Sequence, residues 1–186
     1  MTLPVNTEPW WDWVCGEYLR RGDDRDRAGE YAQAARLVES PVVEIGPGLG
    51  AFARYLLHAD NYVGVDCSGA MVAEARRRVP DRVFVQGNLF AVADAWAGAF
   101  NTVCAFQVLE HMVNPDVGMA AFRRLARHRL VLTVPAGMPS ADQTAGDGHV
   151  HGWTDQEAFE RYLERWGTVV PVASDDNHLG AMVQWA

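Results

Sequence analysis

Cysteine is scarce in this sequence. Cys15, Cys67 and Cys104 are the only three among 186 residues; they are odd in number, far apart and without any C-x-x-C pair. That usage excludes a disulfide framework or a zinc knuckle and suits free thiols in a reducing, cytoplasmic compartment. Long apolar runs are missing as well: none approaches the roughly 20 residues that a membrane helix needs. The amino terminus lacks the charged and apolar regions of a signal peptide. Positive charge is in the minority, with 16 Lys and Arg against 24 Asp and Glu, a net charge of −8 and a pI near 5.1. Such a balance argues against nucleic acid or an anionic membrane surface as partner. The local basic runs, Arg76 to Arg78 and Arg123-Arg124 through Arg129, fall on expected helices and read as solvated faces. No internal repeat, low-complexity tract or linker stands out.

What is present is an apolar fraction of 49% with 22% charged residues, ample for one globular domain spanning residues 1–186. Residues 1–40 read as a helical cap or lid and residues 41–186 as an α/β core. In the cap, one helix is expected from Glu8 to about Arg21 and a second from about Arg27 to Glu39. Trp10, Trp11 and Trp13 cannot all share one helix face, so some of them must meet another element, a ligand or a partner.

The core is organised around Pro41 to Phe52. Val42 to Ile45 reads as a short buried strand, Gly46-Pro47-Gly48-Leu49-Gly50 as a glycine-rich turn, and the following residues as a helix ending near Ala59. With little Cβ cover, the turn lets a ligand lie against the backbone, and the helix that follows aims free N–H groups at the same point. Further strands are expected at Tyr62 to Asp66, Val83 to Gln86, Phe100 to Phe106 and Leu130 to Pro135. Ser68 caps a helix that Pro80 ends, and Asn114-Pro115 opens another, to about Arg127. Thr154-Asp155-Gln156-Glu157 forms a capping box for a helix to about Trp166. Thr168 to Ala173 and about Leu179 to Trp185 read as two strands antiparallel to each other.

Alternating strands and helices imply a parallel sheet with helices on both faces, and ligands then bind beyond the carboxyl ends of the strands. Glu44, Asp66, Asn88 and Glu110 all fall there. The glycine turn also satisfies the relaxed dinucleotide fingerprint, with Asp66 about 20 residues on. An acid at Glu44 is awkward beside a pyrophosphate and suits a ligand bearing an ammonium group. A hairpin-like pair of strands also stands where a second mononucleotide half is expected. Both features weigh against a nicotinamide-dependent oxidoreductase.

Taken together these segments resemble the class I S-adenosylmethionine-dependent methyltransferases of small-molecule type. Val42 to Gly50 is similar to their nucleotide-binding motif, Gly64-Val65-Asp66-Cys67-Ser68 to their second motif, and Gln86-Gly87-Asn88-Leu89 to their third. Gln107-Val108-Leu109-Glu110-His111 resembles the segment after their fourth strand, and His151-Gly152-Trp153-Thr154 a segment before their late helix. The resemblance spans about Pro41 to Trp166 and implies a Rossmann-like, seven-stranded, mostly parallel sheet whose last strand is antiparallel. It implies S-adenosylmethionine as cofactor, with Gly46, Gly48 and Gly50 against it, Glu44 toward its amino end and Asp66 on its ribose. Cys67, Met71, Asn88, Leu89 and Phe106 complete the implied cofactor-binding set. Asn88 departs from the aspartate usual in the family, although its amide oxygen can accept from the adenine amino group.

Methyl transfer needs alignment, exclusion of water and a base. His111 is the first candidate base and His151 the second, with His149 and Glu110 nearby. A metal is not expected: His149 and His151 form an H-x-H pair near Asp142 and Asp147, but nothing completes a ligand set. Phe106, Met112, Met138 and the tryptophans would wall off a small, partly aromatic or lipophilic acceptor, methylated at oxygen. The alternative is a cofactor-binding module without turnover.

Overall fold

The computed structural model describes residues 5–57, 61–137, 148–175 and 177–185. Seven strands form one sheet: β1 (Val42–Ile45), β2 (Tyr62–Asp66), β3 (Val83–Gln86), β4 (Phe100–Phe106), β5 (Ala126–Pro135), β6 (Thr168–Asp175) and β7 (His178–Gln184). Their spatial order is β3-β2-β1-β4-β5-β7-β6. β1 to β5 pair in parallel, and β7 runs antiparallel to both of its neighbours. The expected Rossmann-like sheet with an antiparallel last strand is therefore present.

The order reverses at β1. The chain first steps outward through β2 and β3, then returns to the other side of β1 as β4. The carboxyl ends of β1 and β4 thus flank the crevice where a parallel sheet takes its ligand. Alternation along the strands separates two cores. Val43, Ile45, Val103, Ala105, Leu130 and Leu132 pack toward α4 (Leu89–Ala95), α5 (Pro115–Leu125) and α6 (Gln156–Leu163). Val42, Cys104, Phe106 and Val131 pack on the opposite face, with Tyr31 and Ala34 of α2 (Ala28–Ala34) and Val72 and Ala75 of α3 (Gly69–Arg78).

The first helix, α1 (Glu8–Arg21), keeps its expected bounds. Several others differ. After the glycine turn the chain makes only a turn of 3₁₀ helix, Phe52–Tyr55, in place of the longer helix expected there, and Leu57 is exposed. With so few residues before β2, one turn does not repay helix nucleation; Ala59 lies outside the described residues. α2 stops at Ala34, short of Glu39, because tertiary bonds draw the chain off. Arg129 donates to the Leu37 carbonyl (2.9 Å), and the Thr102 hydroxyl bonds both Glu39 N–H and C=O (2.8 and 2.9 Å).

The cap of α6 sits one residue later than the capping box implies. Asp155 accepts from Ala158 N–H at 2.8 Å, while Thr154 donates to Asp155. α6 also ends at Leu163 rather than near Trp166. A helix absent from the sequence reading, α4, is capped by Asn88, whose Oδ1 accepts from Phe90 N–H at 2.9 Å.

Candidate active site

The glycine turn closes on itself through Gly50 N–H to Pro47 O (2.9 Å). Gly46 and Gly48 both have positive φ, +71° and +53°. A Cβ at Gly46 would meet Val108 Cγ2 at 2.7 Å, whereas one at Gly48 would meet nothing within 4 Å, so the turn is open above Gly48. The Asp66 carboxylate anchors this opening: Oδ2 accepts from Gly48 N–H (3.1 Å) and Oδ1 from Ser68 N–H (2.9 Å). Burial pushes its pKa up to about 6, against the lowering effect of those two backbone bonds.

Above the turn lies a cavity of about 1180 Å³. Ligand pockets commonly span roughly 300–1,000 Å³, so there is room for more than one small molecule. Gly46, Gly48, Asp66, Cys67, Met71, Asn88, Leu89, Phe106 and His111 line it. Burial raises the Cys67 thiol to about 11, which leaves it protonated and apolar in character.

Glu44, Gly50 and His151 do not line the cavity. The Glu44 carboxyl is buried within the sheet, takes a 2.5 Å hydrogen bond from the Tyr62 hydroxyl and is raised to about 8 by loss of water. Gly50 faces the packed side, where a Cβ would approach Phe84 Cζ at 3.0 Å and Ala75 Cβ at 3.2 Å. His151 Nε2 lies 2.8 Å from the Val113 carbonyl oxygen.

Two elements close the cavity. From α1, Trp10, Trp11 and Trp13 all reach its wall. Trp10 is buried with Leu49 and Met71, and Trp13 is exposed on its outer side. Asp12 holds α1 in place: its carboxylate accepts from the Ser68 hydroxyl (2.5 Å) and Ala70 N–H (3.1 Å) at the start of α3. Glu8 accepts from the Gln86 amide (2.8 Å) at the end of β3.

The second element is the segment after β4. Gln107 adopts a left-handed φ of +57°, a conformation costly for a residue with a side chain. A turn of 3₁₀ helix, Leu109–His111, follows it. His111 Nδ1 lies 3.0 Å from the Gly148 carbonyl oxygen, its ring meets Trp11 edge-on at 4.8 Å, and His149 packs at 4.8 Å on another side. Glu110 points away from the cavity into the interior, wholly buried, and desolvation raises it to about 8. Met138, Asp142 and Asp147 lie outside the described residues.

Sequence reasoning passed over the cationic part of the wall, made by Arg21, Arg25 and Arg27. Arg25 and Arg27 fall in an Asp/Arg run that reads as a polar break between helices, and only the fold turns it inward. Among the described residues Arg27 makes no ion pair, while Arg25 pairs with Asp23 and stacks on Tyr18. The left-handed Gln107 carries no sequence signal at all.

Residues 43–132 match the family model for a methyltransferase domain. Over that segment the chain resembles the class I S-adenosylmethionine-dependent methyltransferases. Over 83 residues it is 32% identical to a trans-aconitate 2-methyltransferase of Afipia carboxidovorans, covering 42% of this chain and 32% of that protein. The chain thus spans about a third of the length of the curated relatives it matches. A solved methyltransferase fold in the complex with the Haloferax volcanii Trm112 methyltransferase activator superposes with a TM-score of 0.73 at 13% identity, over 98% of this chain and 99% of that one. The DhpI–SAH complex superposes with a TM-score of 0.68 at 20% identity, over 95% and 93%. At these identities the structural likeness is one of fold. No described helix of the chain is long and apolar enough to cross a membrane.

Proposed function

We propose that the chain moves the methyl group of S-adenosylmethionine to an oxygen of a small acceptor that joins an apolar body to an anionic group. One continuous cavity carries this reading: it runs from the glycine turn and Asp66 to the His111, His149 and Arg27 wall. When bound, the cofactor supplies an electrophilic methyl group on a sulfonium sulfur.

Gly46 and Gly48 open the backbone to the methionine and ribose portions, and Gly50 keeps the turn tight against α3. Asp66 has acceptor capacity left beyond its two backbone bonds and takes the ribose hydroxyls. Cys67, Met71 and Leu89 border the adenine with Asn88. The Asn88 amide oxygen already accepts from Phe90 N–H, and its second lone pair would be the one left for the adenine amino group. Phe106 closes the floor. Glu44 would act on the ammonium end only from a distance, because it lies behind the turn, paired with Tyr62, and does not line the cavity.

For the proton, His111 is the favoured base. Its Nδ1 is engaged with the Gly148 carbonyl, so Nε2 carries the lone pair of the neutral ring, and it lies 3.8 Å from Glu110 Oε1 at the edge of the cavity. His151, bonded to Val113, stands second. The tryptophans of α1 exclude water, and Arg27 binds the acceptor's anionic group. The trans-aconitate methyltransferase among the relatives is consistent with an anionic acceptor.

The deciding experiment is calorimetric titration with S-adenosylhomocysteine of the parent and of Asp66→Ala, followed by a methylation assay on carboxylate-bearing and neutral acceptors. Micromolar binding weakened at least tenfold in the variant, with product from carboxylates, is expected. Binding without product from any acceptor would favour a module that holds the cofactor without turnover.

A further inference from the structure

At the cavity wall, Glu110, His111 and His149 place one donor atom each within 4.8 Å of one another. We propose that these three side chains hold a divalent transition-metal ion of the zinc, cobalt or iron(II) class. The inference goes beyond the methyl-transfer reading and does not rest on it.

Glu110 is the first argument. Its side chain is fully buried, and among the described residues neither carboxylate oxygen has a hydrogen-bond partner. Buried polar atoms are almost always paired, so an acid with two open oxygens needs a proton or a cation to complete it. Arg27 and Arg25 favour its ionised form, yet among the described residues neither forms an ion pair with it. The histidines lie closer: His111 Nε2 is 3.8 Å from Glu110 Oε1.

The second argument is how the histidines are held. A metal-bound imidazole usually has its other nitrogen tied to a carbonyl or a carboxylate. His111 has that arrangement, with Nδ1 on Gly148 O and Nε2 toward Glu110. The segment bearing His149 is bolted to the same place, since Val150 N–H and His151 N–H both donate to the Glu110 carbonyl oxygen (2.9 and 3.1 Å). Asn6 clamps the pair from the other side, its amide donating to His111 O (3.1 Å) and Gly148 O (2.7 Å).

Bond lengths of about 2.0–2.2 Å at tetrahedral angles set donors about 3.3 Å apart. Ligation therefore requires the three groups to draw together by up to about 1.5 Å, within reach of side-chain rotation. Two imidazoles and one carboxylate suit borderline metals better than magnesium or calcium. Three protein ligands leave a fourth position, and because both histidines line the cavity it faces the acceptor space. With the ion in place, His111 is a ligand, and an acceptor oxygen at the open position would lose its proton more readily.

Cobalt(II) titration, followed by visible absorption and calorimetry, tests this on the purified chain after chelator treatment. One cobalt per chain is expected, with ligand-field bands displaced by zinc and affinity at least tenfold weaker in His149→Ala and in Glu110→Gln. S-adenosylhomocysteine binding and thermal unfolding of the same samples report separately on the fold and the cofactor site. If Glu110→Gln does not fold, His149→Ala decides alone. Absence of saturable cobalt binding at millimolar metal, or folded variants that bind it as the parent does, would overturn the proposal.

Discussion

The Tyr62 hydroxyl donates to the Glu44 carboxyl across 2.5 Å, joining β2 to β1 inside the sheet beneath the glycine turn. Loss of water raises Glu44 to about 8 from 4.5, more than the Tyr62 bond lowers it. Between those two values the folded chain keeps a proton that the unfolded chain releases. Stability contributed by this group is therefore full below about pH 4.5 and is lost as pH rises toward 8. The slope is about 1.4 kcal/mol per pH unit for each such proton. Glu44→Gln keeps an acceptor for Tyr62 and removes the proton, so its denaturation midpoint should change less with pH between 5 and 8. Parallel urea titrations of parent and variant check this; equal slopes would show Glu44 ionised in the fold.

Gly46→Ala should damage both turn and binding. The left-handed backbone alone costs a residue with a side chain roughly 1–2 kcal/mol, and the new methyl group would collide with Val108 Cγ2. A lower thermal midpoint with weakened S-adenosylhomocysteine binding is expected. Gly48→Ala, with open space around its Cβ, should lose less stability and still lose affinity.

Arg27→Ala should separate acceptor from cofactor. Removing one charge-assisted bond costs on the order of tenfold in affinity, so the KM for a carboxylate acceptor should rise by about that factor. S-adenosylhomocysteine titration should be unchanged. Equal loss for neutral and anionic acceptors would remove Arg27 from acceptor binding.

For the histidines, His111→Ala should lower kcat by on the order of 10²–10⁴ if its ring takes the acceptor proton, with cofactor affinity preserved. His151→Ala, outside the cavity and bonded to Val113 O, should lower it far less. The reverse ranking in steady-state assays would move the base to His151.

Much of the architecture was legible in order along the chain. The strand–turn–acid pattern of Val42 to Gly50 with Asp66, the cap at Ser68 and the Asn114-Pro115 start all concern neighbours within a few residues. Local geometry and hydrophobic period decide such features, so they survive any tertiary context. Tertiary structure decided where each side chain points and where marginal helices stop. Glu44 and Glu110 fall at strand ends as Asp66 does, yet only Asp66 faces the cavity, because the pleat and the turn after β4 direct the other two inward. α2 ends early because Thr102 and Arg129, far along the chain, take its backbone bonds. The pairing of His111 with Gly148, the docking of Asp12 on α3 and the inward turn of Arg27 all join residues remote in sequence. Such contacts are set by packing and desolvation in the folded state, for which a linear pattern carries no signal.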